Sequence, residues 1–202
     1  EMYKKKQLVK LDDLAGMKNF SDVAKSAWQT DDGKDTFCVP MASVIHGFMY
    51  NKDALKKVGA SEPKTMEEFH ALLDKLKKDG TYTPIVMGTA DQWEAATMGF
   101  QNIGPNYWQG EKGREGLIKG TEKFTDPQYV AVLKELASWA PYMGNGYQAQ
   151  KYADSQNLFS LGKGAIYPAG SWDISTFRAS AKFPIGVFAP PLPAGAKDCY
   201  IS

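Results

Sequence analysis

Gly170-Ser171-Trp172-Asp173 sets a flat aromatic ring, a hydroxyl and a carboxylate within four residues of one another. The apolar run Gly164-Ala165-Ile166-Tyr167 before them reads as a strand, which Pro168 and Gly170 stop and turn. Ile174, Phe177 and Ala181 follow at helical spacing, so Ser171 to about Ser180 reads as a helix. A strand–turn–helix start also offers the free backbone N–H groups of a helix N-terminus. Such groups suit a polar, uncharged ligand with one apolar face, which describes a sugar ring. The same residues have a purely structural reading, in which Ser171 or Asp173 caps the helix and Trp172 packs.

A second candidate is Gly88-Thr89-Ala90-Asp91-Gln92-Trp93. A glycine-rich loop follows a short strand and delivers Asp91, Gln92 and Trp93 to a helix start, the end at which α/β folds place ligands. A carboxylate accepts two hydroxyl donors, and an amide both gives and takes. An N-cap Asp91 with a packed Trp93 is the structural alternative. His46 lies in an apolar strand, where a hydrogen-bonded core residue competes with a ligand contact. His70 falls on the solvated face of a Lys-rich helix, and Asn102, Asn106 and Trp108 are weaker candidates for a cleft rim. A glycoside hydrolase or lyase would need two carboxylates at a set separation, for which Asp91, Glu94 and Asp173 are the candidates.

The elements that would position these groups alternate between short strands and helices, which indicates an α/β class. Phe20 to Trp28 reads as a short helix, Asp31-Asp32-Gly33 as a turn, and Thr36 to Val39 as a strand ended by Pro40. Val44 to Tyr50 is a strand, followed by a helix from Lys52 that ends near Gly59. Thr65 and Glu68 form a capping box ahead of the apolar stripe Met66, Phe69, Leu72, Leu73 and Leu76. Pro84 to Met87 reads as a strand, and Asp91 as the cap of a helix running to about Asn102. Glycines from Gly104 to Gly120 mark an irregular or broken-helix region. Asp126-Pro127 opens a long helix, Tyr152 to Leu161 forms another, and Ile185 to Phe188 is the last strand.

Composition narrows the partners. The balance of 24 Lys and Arg against 23 Asp and Glu leaves +1, which gives no footprint for nucleic acid. Apolar stretches such as Val44 to Tyr50 are too short to span a bilayer. Two histidines exclude a His-rich zinc site, and no metal or other cofactor is expected. Cys38 and Cys199 read as buried free thiols, with a disulfide as the alternative in an oxidising compartment.

Five pieces in order extend the reading: Gly33-Lys34 with Val39-Pro40, Tyr50-Asn51-Lys52, Gly59 to Phe69, Phe159 to Ile166, and Gly170-Ser171-Trp172. Their order and spacing, from about Leu8 to Pro193, resemble the family 1 extracellular solute-binding proteins, the sugar-capturing components of ABC importers. Met66 stands where that family usually has Trp, and Thr36-Phe37 where it has Tyr-Gly. The resemblance implies a two-lobe fold of the periplasmic-binding-protein type II kind, present here mainly as the second lobe. Residues 46–182 would form that lobe, and 1–45 and 183–202 would be the partial first lobe and the hinge strands. It implies a longer natural chain, and strand edges left exposed in this one.

The resemblance further implies a neutral carbohydrate held in an inter-lobe cleft by Trp172, Asp173, Ser171, Gly170, Trp93, Asp91, Gln92 and His46. Delivery to the membrane permease subunits of an ABC importer would follow, with no chemistry performed. The location implied is the periplasm, or the outer face of the cell membrane through a lipid anchor. A sensor-type sugar-binding module satisfies the same residues.

Overall fold

A computed structural model describes residues 2–30 and 32–202. Its contacts divide the chain into two units, Glu1–Val44 and Ile45–Ser202. In the first unit, the Ser21 hydroxyl accepts the Ala24 N–H at 3.2 Å and caps a short helix, α1 (Asp22–Ser26). Gln29 faces Thr36 in an isolated bridge around Gly33; Asp31 of the expected turn lies outside the described residues. The strand expected over Thr36 to Val39 does not form. Thr36 gives its N–H to the Asp12 carboxylate and its carbonyl accepts from Leu11, both at 2.9 Å, so loop residues occupy the groups a ladder would need.

The second unit is built on a four-stranded sheet in the order β2–β3–β1–β4, with β1 His46–Asn51, β2 Thr83–Ile85, β3 Gly164–Gly170 and β4 Ile185–Phe188. β1 runs antiparallel to both β3 and β4, and β2 runs parallel to β3. Contrary to the expected stop, β3 continues through Pro168 to Gly170. The register explains it. The Ile166 carbonyl accepts from Val86 on the β2 side, so by alternation Pro168 also faces that side, beyond the last β2 pair at Ile85 and Ile166. The missing N–H therefore costs no ladder bond.

The period of two sends alternate residues to opposite faces of the sheet. On one face Phe48 stacks on Phe188 at 5.1 Å and meets Phe69 at 5.3 Å and Trp139 at 5.9 Å. Those last two come from α3 (Met66–Asp79) and from the C-cap of α6 (Pro127–Ser138). On the other face Tyr167 meets Phe177 at 4.9 Å, and Phe177 meets Phe159 at 4.8 Å, from α8 (Ile174–Ser180) and α7 (Tyr152–Ser160). These rings are buried, each contributing about 1.5–3 kcal/mol. Helices on both faces of one sheet make this an α/β layer structure.

Several ends follow the expected chemistry. α2 (Lys52–Lys57) follows β1 directly, and α6 starts at the proline after Asp126. The glycine-rich stretch holds two short helices, α4 (Pro105–Trp108) and α5 (Glu111–Lys119), broken at left-handed Gln109. At α3, the Glu68 N–H reaches the Thr65 hydroxyl at 3.2 Å and the Glu68 carboxylate accepts the Thr65 N–H at 3.3 Å. Thr65→Ala is expected to lower unfolding free energy by about 1 kcal/mol in urea denaturation. An unchanged midpoint would show that this box adds nothing to the packing of α3.

Candidate functional site

The Trp172 ring lies back over Gly170: a Cβ added there would meet indole carbons at 1.9–2.3 Å, so a larger residue would displace the ring. Residues Ser171–Asp173 form one 3₁₀ turn that leads into α8. Neither Ser171 nor Asp173 caps a helix as the capping reading has it. The Ser171 hydroxyl instead accepts the Ile45 N–H at 3.2 Å while the Ser171 N–H reaches the Ile45 carbonyl at 2.9 Å, tying the turn to the start of β1. Asp173 is 1% exposed and points inward. Its Oδ1 accepts from the Tyr152 hydroxyl and from Gln156 Nε2 at 2.7 Å.

Trp172 donates its Nε1–H to the same Tyr152 hydroxyl at 3.0 Å. Its indole nitrogen is therefore engaged, while the ring remains half-buried. The Tyr152 ring meets Trp93 edge-on at 4.7 Å, and Trp93 lies 6.5 Å from Trp172 at an interplanar angle of 51°. His46 approaches Trp172 edge-on at 5.5 Å, and its Nδ1 lies 3.1 Å from the Ser202 carbonyl and 2.9 Å from the Ser202 hydroxyl. Burial holds the His46 pKa below its ordinary value, which favours the neutral ring.

The Asp91 loop is built tightly. A Cβ on Gly88 would sit 2.3 Å from the Gln150 carbonyl oxygen, and the Gly88 N–H donates to the Ser155 hydroxyl at 2.7 Å. Asp91 does not cap the helix that follows it. Its carboxylate accepts the Tyr152 N–H at 2.9 Å and so serves the N-terminus of α7, where negative charge is favoured. Gln92, exposed, has φ of +61°, an uncommon conformation for a residue with a side chain. The helix expected beyond it is present as a π-helix, Glu94–Gln101; such turns are frequent at functional sites.

The structure thus brings Gly170, Ser171, Trp172, Trp93, Asp91, Gln92 and His46 to one end of the sheet, with Asp173 beneath them. Two of its larger hollows lie elsewhere, about 930 Å³ near α3, α4, α6 and residues 193–200, and about 980 Å³ beside β4. Two side chains assigned to the rim are internal instead, and one assigned to solvent is partly covered. Asn102 is buried and bonds the Gly47 carbonyl at 2.8 Å, and Asn106 is buried and bonds the Pro190 carbonyl at 2.9 Å. His70 is half-buried and lies 2.8 Å from Glu135. Cys38 and Cys199 are both free, and Cys199 is exposed rather than buried. Among the described residues no three His, Cys, Asp or Glu side chains gather as metal ligands, and no helix is long and apolar enough to cross a membrane.

Tyr152, Gln156 and Tyr167 were not singled out by sequence reasoning. A tyrosine at the first position of a helix carries no signal of what its hydroxyl reaches. Glu94 stood only as a possible catalytic carboxylate; it is wholly buried, and burial pushes its pKa up to about 7, opposed by the nearby Ser155 hydroxyl and Gly88 N–H. Burial raises the Asp173 pKa as well, against its bonds to Tyr152 and Gln156. Both carboxyls bind a proton more tightly in the folded chain than in the unfolded one. Stability should therefore fall as pH rises from the ordinary carboxylate range toward about 7. Denaturation midpoints are expected to drop between about pH 5 and about pH 8, and Glu94→Gln to remove much of the drop. A slope that is the same in both proteins would contradict this.

Residues 1–201 match the profile of a family described as bacterial extracellular solute-binding protein. An uncharacterized ABC transporter extracellular-binding protein of Pyrococcus horikoshii is 30% identical over 85% of this chain and 40% of its own length. The sn-glycerol-3-phosphate-binding periplasmic protein UgpB of Escherichia coli is 28% identical over 79% of this chain and 36% of its own. Among solved structures, a chitin oligosaccharide binding protein superposes with a TM-score of 0.82 at 24% identity, over 96% of this chain and 49% of that one. The chain therefore spans less than half the length of these relatives, and its α/β fold is that of the two-lobed periplasmic-binding-protein type. With nearly every residue inside the family profile, the chain belongs to the bacterial extracellular solute-binding proteins.

Proposed function

We propose that this chain contributes the second lobe of a receptor that binds a neutral carbohydrate and delivers it to the membrane subunits of an ABC importer. In the whole protein, residues 46–182 form that lobe together with β4, which completes its sheet, and 1–45 belong to the first lobe and its crossings. The observation that carries the reading is the aromatic surface of Trp93, Tyr152 and Trp172, with ring centroids 4.7 and 6.5 Å apart. Flat apolar rings bordered by Asp91, Gln92 and the Ser171 hydroxyl suit the alternating C–H and O–H faces of a sugar. Asp173 supports the surface from below instead of touching the ligand.

Glycerol phosphate, the ligand named for the Escherichia coli relative, is the second reading. A phosphate is best held by guanidinium or ammonium donors and helix N-termini. The carboxylates here are Asp91, Glu94 and Asp173; of the chain's two arginines, Arg114 pairs with Glu111 on α5 and Arg178 lines a hollow with Met49 and Phe183. The neutral sugar is the better fit. A hydrolase is a poorer one, because Glu94 and Asp173 are at most 1% exposed and present no acid to a ligand. The name of the Pyrococcus relative supports import; a sensor would use the same surface, and stable capture by transporter membrane subunits separates the two.

Titration of the full natural chain with mono- and oligosaccharides and with glycerol 3-phosphate, followed by tryptophan fluorescence, tests the ligand class. A saturable response to one sugar class and none to glycerol 3-phosphate is expected. Trp172→Ala should then weaken that sugar by about tenfold or more, equivalent to about 1.4 kcal/mol. Unchanged affinity would assign Trp172 to packing alone.

A further inference from the structure

Tyr152 contacts four of the residues at this end of the sheet, Asp91, Trp93, Trp172 and Asp173. Its N–H is held by the Asp91 carboxylate at 2.9 Å. Its ring packs edge-on against Trp93 at 4.7 Å. Its hydroxyl donates to Asp173 and accepts the Trp172 Nε1–H at 3.0 Å. A hydroxyl has one proton and two lone pairs, so these two bonds are compatible and set its orientation. Gln156, one turn along α7, donates to the same Asp173 oxygen at 2.7 Å and keeps the acceptor in place.

From this geometry we infer that Tyr152 is a positioning residue for carbohydrate recognition: its hydroxyl locks the plane of Trp172 relative to Trp93, and so selects the sugar by the angle between the two indoles. The inference rests on the carbohydrate reading above. An indole without the Nε1 bond could turn about its side-chain torsions, and the 51° angle between the two rings would no longer be defined. Burial pushes the Tyr152 hydroxyl above its ordinary pKa, with Asp173 adding to the effect, so it remains protonated and able to donate.

The test uses the full natural chain, with calorimetric titration of the sugar that binds best and near-ultraviolet circular dichroism of the ligand-free protein. Tyr152→Phe keeps the ring and removes the hydroxyl. It is expected to reduce the near-ultraviolet indole signal by the share Trp172 contributes, which Trp172→Phe measures, to keep the far-ultraviolet spectrum, and to weaken binding by about tenfold. Trp172→Phe keeps a ring but has no N–H to hold; in that background Tyr152→Phe should add less than about a twofold loss. A full tenfold loss in the Trp172→Phe background would overturn the positioning role, since the hydroxyl would then act on the ligand directly. Wild-type sugar binding unaltered by Tyr152→Phe would overturn it as well. If the wild type binds no sugar at all, the carbohydrate reading falls and this role falls with it, an outcome distinct from the other two.

Discussion

A carboxylate buried at the end of a central strand must find hydrogen-bond donors or lose several kcal/mol of solvation. One oxygen of Asp173, Oδ1, finds two of them on α7, and that pairing ties together the elements at this end of the sheet. α7 must lie where Tyr152 and Gln156 both reach the same oxygen. With α7 so placed, its N-terminus falls beside the Asp91 loop, which in turn sets the start of the π-helix. Phe159 and Phe177 fill the space beneath and hold α7 and α8 against Tyr167 of β3. Polar pairing and ring packing thus impose the same helix position, the agreement between levels that marks a well-specified fold.

Where a feature is set by neighbours in sequence, it could be read from sequence. The Thr65–Glu68 box, the Asp126-Pro127 helix start and the strand Ile185 to Phe188 are local devices of this kind. The family was legible too, through five short pieces in order. What escaped depends on partners remote in the chain. Pro168 reads as a strand stop because its tolerance depends on where β2 ends, and β2 lies about eighty residues earlier. Thr36 reads as a strand residue because β propensity says nothing of Asp12 capturing its N–H.

The candidate residues divide in the same way. Trp172, Trp93, Asp91 and Gln92 stand out by type and by loop context, and they do converge. Asp173 was legible as a chemically capable group but not as a support; its direction depends on a turn of 3₁₀ helix where an α-helical start was expected. Asp91 looked like the cap of its own helix and caps another. Tyr152 was invisible, since its role resides entirely in the far end of its side chain. Types and spacing mark the surface; the scaffold behind it depends on contacts between segments remote in the chain.

The close approach of Gly88 to the Gln150 carbonyl has a consequence for affinity. The loop carrying Trp93 cannot slide past the residues that open α7, and the Tyr152 hydroxyl binds the Trp172 nitrogen. The two indoles and the tyrosine between them therefore form a preorganised plate whose rotamer freedom is lost when the chain folds, not when a ligand arrives. Immobilising such side chains during association would otherwise cost about 0.5–1.5 kcal/mol each. On the proposed carbohydrate reading, a ligand meeting these rings would be selected by how well its own shape fits, because the protein side of the contact would have little left to order.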